Sequence, residues 1–244
     1  MTLLYEYRVF LFSGFTMTLL LSLAVVLGGT VSAIVLVTGM MSDNRLLRKM
    51  SFTLVELLRD VPLMVNVLMV YFMLPSTGIS LSPFWSCSLS ISIWGGANGA
   101  HILRAGLMSV NKGQRETALA FNFNPVRSMF LIILPQAMPV ILPPYISLIT
   151  ALVQATSLGA IIGATELLRS GQVIIEQTTI MQGGSPAYLI YGSILVVYFL
   201  LCWLISQLGG RLEKHFLKPY RREDQKAALE ARIREIKTTV PTNA

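Results

Sequence analysis

Between Arg8 and Asp43 the chain carries no charged residue. A helix needs only about 20 apolar residues to cross about 30 Å of hydrocarbon, so a run this long is a membrane span before it is anything else. The rest of the composition agrees. Charged residues make up 13% of the 244-residue chain, hydrophobic ones 54%, and the mean hydropathy is +0.65, whereas a soluble domain is about a quarter charged. The expected fold class is therefore an all-α integral membrane protein. No short apolar segment with a small-residue cleavage site opens the sequence, so the first run is expected to remain as a span and not to be removed as a signal.

Apolar runs and their breakers place about five spans, at residues 14–40, 52–74, 84–107, 139–158 and 187–208. In the first, Gly14, Thr18 and Ser22 recur every four residues, a small-residue stripe suited to close helix packing. The second opens at Ser51 with polar turns carrying Glu56, Arg59 and Asp60, and Pro62 is expected to bend it because proline removes a backbone donor and crowds the preceding turn. Gly159 and Gly163 mark where the fourth loosens. Gly209-Gly210 is expected to end the fifth, dividing a transmembrane domain at 1–210 from a charged tail at 211–244. Leu229, Ile233 and Ile236 in that tail have helical spacing.

Lysine and arginine sort by side. Seventeen of the nineteen fall in the first loop with the base of the second span, around residues 104–127, or in the tail; only Arg8 and Arg169 fall on the other side. By the positive-inside rule the central segment and the C-terminus are cytoplasmic and the N-terminus is outside. The excess of cations is thus a topology signal and not a nucleic-acid footprint.

The central segment, residues 112–144, is polar and helix-competent between apolar neighbours. Gly113 and Glu116-Thr117-Ala118 read as a helix start with an acidic first turn. Asn124-Pro125 breaks it, since a residue before proline is pushed out of the α region, and a second helical run leads through Leu134-Pro135. Two short helices, about 113–135, are expected at a sharp turn, either as a partner-docking element or as an amphipathic loop resting on the bilayer.

Several chemistries are excluded. There is no G-x-x-x-x-G-K-[ST] phosphate loop and no dinucleotide glycine signature, so ATP can be used only by another chain. His101 and His215 are the only histidines, and no Cys/His cluster has metal spacing. Cys87 and Cys202 lie in apolar runs and read as small apolar residues. His101 reads as a structural histidine, there being no second ligand type near it in sequence. No cofactor is expected on this chain.

The segment Glu116-Thr117-Ala118, then Asn122, then Ile132-Ile133-Leu134-Pro135 resembles the cytoplasmic motif of the permease subunits of ATP-binding-cassette importers for polar amino acids. That motif begins Glu-Ala-Ala, places Gly a few residues on and ends Ile-x-Leu-Pro. Lys112-Gly113-Gln114, Leu134-Pro135-Gln136-Ala137, Leu142-Pro143-Pro144, Gly14-Phe15-Thr16-Met17-Thr18-Leu19 and Leu58-Arg59-Asp60-Val61-Pro62-Leu63 are also similar to the amino-acid branch of that family. The resemblance implies a type I importer permease fold in the inner (cytoplasmic) membrane. It implies alternating access driven by two copies of an ATPase subunit, a second permease chain of the same or related sequence, and an extracytoplasmic amino-acid-binding protein. Gly113, Glu116, Thr117, Ala118, Asn122 and Pro135 would then form the ATPase-coupling site. Thr117 and Asn122 depart from the motif; asparagine still tolerates the left-handed conformation better than most residues.

Pro62 with the polar positions Asn66, Asn98, Gln154, Thr156 and Ser157 are candidates for the substrate pathway, each of which also fits a helix-to-helix hydrogen bond. Where relatives carry Ala-Tyr-x-Ala-Glu and Lys-Asp-Thr-Ser-Leu, this chain has Ala97-Asn98-Gly99-Ala100-His101 and Gln154-Ala155-Thr156-Ser157-Leu158, so charge is lost from two span regions. An ion-coupled secondary carrier and a membrane scaffold are the competing readings; the carrier lacks support because neither internal repeats nor midplane ionisable groups stand out.

Overall fold

The computed structural model describes residues 2–239. A short helix α1 (Thr2–Glu6) precedes α2 (Arg8–Met40), which runs 33 residues because nothing in it interrupts the ladder. Then come α3 (Arg45–Asp60), α4 (Leu63–Met73), α5 (Pro83–Ser109), α6 (Lys112–Ala120), α7 (Pro125–Ser128), α8 (Leu134–Ala155), α9 (Leu167–Gln182) and α10 (Ala187–Thr239). No strand occurs among the described residues.

The bundle is assembled around the pairing of α2 with α5. Every residue of the Gly14, Thr18, Ser22 stripe is buried, and the stripe continues through Val25, Gly29, Ala33 and Val37. A Cβ on Gly28 would strike Ser92, one on Gly96 would strike Ser32, and one on Gly99 would lie 2.9 Å from Ala33 Cβ. The two backbones therefore approach as closely as glycine allows, which is how helices associate in lipid, where apolar burial between them gains little. Three apolar clusters follow the length of α2: Met40 with Val55, Ala100 and Ile141 at one end, Leu21 and Val25 with Ile91 and Leu152 in the middle, and Leu167, Ile174 and Ile190 packed against Leu11 and Phe15 at the other.

Three helical runs among the described residues are long and apolar enough to cross a membrane: Arg8–Met40, Pro125–Ile162 and Ala187–Lys214. A fourth is added if α3 and the run that begins with α4 count as one broken span. The expected third span, α5, has 27 residues and so a length of about 40 Å. Its hydropathy is held down by Ser86, Ser88, Ser90, Ser92 and the buried glycines, which face protein and not lipid.

Several boundaries differ from expectation. The second span does bend at Pro62, by 97°, but its first helix opens at Arg45 and not at Ser51. The reason is Asn44, whose Oδ1 accepts hydrogen bonds from the N–H groups of Leu46 and Leu47, satisfying orphan donors of the first turn. The fourth span starts before Pro139. Pro139, Pro143 and Pro144 all lie inside α8, tolerated because neighbouring helices and local ladder adjustments take up the freed carbonyls. The long connection after Gly163 contains a helix that the expected spans did not include, α9, which Glu166 caps. Gly209-Gly210 does not end α10. A Cβ on Gly209 would lie 2.5 Å from Ile146 Cγ2, so this glycine admits close packing on α8 and is not a stop signal. The proposed amphipathic face at Leu229, Ile233 and Ile236 lies outside the residues whose side chains are described.

Two glycines test the close-packing account. Gly96→Val should overpack the α2–α5 contact and lower the unfolding temperature in detergent, at a cost of about 1–3 kcal/mol. Gly192→Ala in α10, where a Cβ would meet nothing within 4 Å, should be neutral or stabilising by up to about 1 kcal/mol.

Candidate functional site

The segment between α5 and α8 forms two helices at a turn. Asn111 opens α6, its Oδ1 accepting from the Gly113 N–H at 2.9 Å. The helix thus begins one residue earlier than expected, and Glu116 stands in its second turn. Because the macrodipole acts mainly within the first turn, the carboxylate of Glu116 is not held there by the helix end. It is exposed, with no hydrogen bond or ion pair to another described residue. Thr117 donates its hydroxyl back to Gly113 O at 2.7 Å. Ala118 faces inward, fully buried, so its small size serves packing within this chain.

The turn itself depends on Asn122, the only described residue other than glycine with positive φ, at 55°. The Phe123 N–H then reaches Ala118 O at 3.0 Å, the six-to-one bond of a Schellman ending in which position 122 must be left-handed. Asn124 starts the next helix, its Oδ1 accepting from the Arg127 N–H at 2.7 Å, and Pro125 takes the first helical position, where its missing N–H costs nothing. The second helix is not separate, as expected, but merges with the following span: α7 passes through a π-turn (Met129–Ile133) into α8. Pro135 explains the widening, since it cannot donate to the carbonyl four residues before it and its ring crowds that carbonyl. Gln136 Nε2 donates to Gln114 Oε1 at 3.2 Å, tying α6 to α8. Phe121 and Val126, on either side of the turn, are 73% and 64% exposed.

Of the pathway candidates, Pro62 caps α4 at the break and Asn66 is half-buried one turn beyond it. Asn98 donates to Trp94 O at 2.9 Å and accepts from Arg59 Nε at 3.4 Å. Gln154, Thr156 and Ser157 sit together where α8 tightens into a 3-10 turn (Thr156–Ile162), Thr156 and Ser157 donating to the carbonyls of Val153 and Gln154. They are not brought to Asn98 by any described hydrogen bond. Asn98 instead belongs to a polar cluster that sequence spacing did not reveal. Arg59 Nη1 lies 3.1 Å from Glu56 Oε2 and His101 Nε2 lies 3.0 Å from Glu56 Oε1, while Arg104 stacks over Phe52. The His101 contact is close without hydrogen-bond alignment. His101 therefore has an acidic neighbour after all, brought 45 positions along the chain by the α3–α5 packing.

A second group missed in the sequence is centred on Glu166, which is fully buried. Its carboxylate accepts from the N–H groups of Leu168 and Arg169 and from the Tyr198 hydroxyl at 2.9, 2.8 and 2.9 Å. The Leu167 N–H donates to Thr18 Oγ1 at 3.0 Å. Burial pushes the Glu166 carboxyl above the ordinary carboxylate range while these donors draw it back. The acidic residue thus fastens α9 between α2 and α10, and the only trace of it in sequence is a Glu just ahead of a helical run.

Residues 24–216 match the family described as binding-protein-dependent transport system inner membrane component. The chain belongs to that family. It is accordingly a transport component of the membrane and not an enzyme, with ATP hydrolysis on a separate subunit. Among curated relatives, a probable glutamine ABC transporter permease of Bacillus subtilis (strain 168) is 29% identical over 208 residues, covering 85% of this chain and 94% of the relative. A glutamine transport system permease of Escherichia coli (strain K12) is 30% identical over 206 residues, 84% and 91% of the two chains. An L-cystine transport system permease of the same Bacillus strain is 29% identical over 201 residues, 82% of this chain and 84% of the relative. The fold is shared with a crystal structure of an amino acid ABC transporter with histidines, at a TM-score of 0.76 and 25% identity over 87% of this chain and 96% of that one. It is also shared with an inward-facing MetNI methionine transporter, at a TM-score of 0.69 and 19% identity over 86% and 98%.

The left-handed turn yields a direct test. Asn122→Gly should leave the turn intact, whereas Asn122→Val places a β-branched residue at positive φ, at a cost of about 1–2 kcal/mol. Amide exchange at Phe123 should accelerate about tenfold in the valine variant and stay near wild type in the glycine one.

Proposed function

We propose that this chain is one of two permease subunits in an importer of polar amino acids, and that α6 with the turn at Asn122 is the surface gripped by the ATPase. The observation that carries this is an exposed carboxylate at Glu116, without a partner among the described residues, beside exposed Phe121 and Val126, on a turn held in shape by Asn111, Asn122, Asn124 and the Gln114–Gln136 bond. A charge and two apolar side chains left open on a rigid element are what a partner can bind without an ordering cost.

The polar amino-acid substrate is supported by what the relatives carry. The charge census supports a cytoplasmic central segment and C-terminus, and the length and packing of α5 support five spans. Substrate would be delivered by an extracytoplasmic binding protein and pass near the Pro62 break, where Asn66, Asn98 and the Glu56–Arg59–His101 cluster supply polar groups. Closure of two ATPase subunits would push on α6, and because α7, the π-turn and α8 form one unbroken run, the push would reach the middle of the bundle.

Glu116→Lys reverses the unpaired charge without touching a described contact. Purified with native lipids, this variant should insert normally but lose at least about tenfold of the copurifying ATPase and of ATP-dependent uptake, the effect of reversing one interfacial charge worth about 1.4 kcal/mol or more. Undiminished copurification and uptake would remove the coupling role from this segment.

A further inference from the structure

At the Leu167 end of the bundle, away from α6, α2 and α10 border an open groove of about 370 Å³. Its walls are hydrocarbon: Leu11, Phe12 and Phe15 on α2, Ile194 and Val197 on α10, with Leu167 behind. Both flanking helices belong to runs apolar enough to cross a membrane, so the open side of the groove faces acyl chains. Apart from Arg8 and Ser193, whose hydroxyl donates to Ile190 O, the lining offers water no polar partner, and an unfilled apolar groove forfeits dispersion contacts along its lining. The stretch of α2 from Arg8 to Phe15 covers about 10 Å, roughly the outer third of the hydrocarbon.

One cation closes the end of this groove. Arg8, the first residue of α2, contributes to its wall. Arg8 Nη1 donates to Tyr5 O at 2.9 Å and its guanidinium stacks 3.9 Å over the Tyr5 ring. No carboxylate among the described residues pairs with it. The remaining guanidinium donors are free in the fork that matches a phosphate, and Tyr5 and Phe12, 69% and 70% exposed, flank it at the level where aromatic residues meet headgroups. We infer that this groove holds one phospholipid, its phosphate on Arg8 and one acyl chain between α2 and α10. The charge at the mouth favours a lipid over a second copy of this chain, whose own helices would bring apolar surface but leave Arg8 without an anion. The inference depends on α2 and α10 spanning the bilayer and not on the identity of the transported substrate.

Delipidated full-length protein titrated with palmitoyl-oleoyl phosphatidylglycerol and followed by native mass spectrometry tests it, with the matching diacylglycerol, which lacks phosphate, as the second probe. Wild type should retain one phosphatidylglycerol per chain and bind the diacylglycerol more weakly. Arg8→Gln should weaken phosphatidylglycerol about fivefold, the worth of one cation near a membrane surface, with Arg8→Lys intermediate. Val197→Phe, or Ser193→Leu should the first misfold, should fill the groove and abolish retention while the unfolding temperature holds. The proposal is overturned if Arg8→Gln and the groove-filling variant bind as wild type does, if the diacylglycerol binds equally well, or if Phe12→Cys chains cross-link to each other across the groove.

Discussion

The closeness of α2 to α5 is the constraint on which the rest of the bundle depends. In a bilayer the lipid is as apolar as the side chains, so helices stay together through van der Waals fit and the few hydrogen bonds they exchange. Gly28, Gly96 and Gly99 bring the two backbones together, and Ser92 donates across to Val25 O at 3.4 Å. The same device recurs at other contacts. A Cβ on Gly95 or Gly106 would strike α8, at Leu152 or Ile141; one on Gly14 would strike Ser170 of α9; one on Gly171 would strike Ile194 of α10. Glu166 adds a polar knot, joining α9 to α2 and α10 where apolar packing alone would leave the helix free to slide.

Against this tightly keyed frame, the points at which the ladder is interrupted have mechanical meaning. Pro62 turns the second span by 97° and sets the Glu56–Arg59–His101 cluster beside Asn98 at the break. Pro135 widens a turn at Met129–Ile133, where the segment between α5 and α8 hands over to α8. Gly163, at φ 81°, ends the 3-10 turn that carries Thr156 and Ser157. A force on α6 meets a turn that is capped on both sides, and then a helix that leads directly to the contacts of Leu148 and Leu152 with the central core. The geometry suits transmission of motion, since packed helices have discrete arrangements and do not deform continuously.

Much of this was legible in the chain itself. A charge-free run and the prolines located most of the helices, the bend at Pro62 and the break at Asn124-Pro125, and the motif resemblance pointed to the family that the comparisons establish. Asn122 was readable through the motif, where it stands at the glycine position, and its left-handed backbone is one that asparagine tolerates. What escaped was of two kinds. Helix starts depend on which side chain caps, and Asn44 and Asn111 were overlooked in favour of Ser51 and Gly113. Contacts far apart in sequence, such as His101 with Glu56 or Tyr198 with Glu166, have no periodic signature, because they are created only when α5 packs on α3 and α10 on α9. Gly209-Gly210 misled for the same reason: a glycine that admits a neighbouring helix looks, in one dimension, like a glycine that ends its own.

The central claim is that this chain transports by coupling to hydrolysis on a separate subunit. It is tested most directly by ATPase measurement on the complex reconstituted in proteoliposomes with its binding protein and a panel of polar amino acids. The account predicts that one or more loaded binding-protein complexes raise hydrolysis several-fold and that uptake of the same amino acid follows ATP. Uptake that continues without ATP and tracks an imposed ion gradient instead would contradict it.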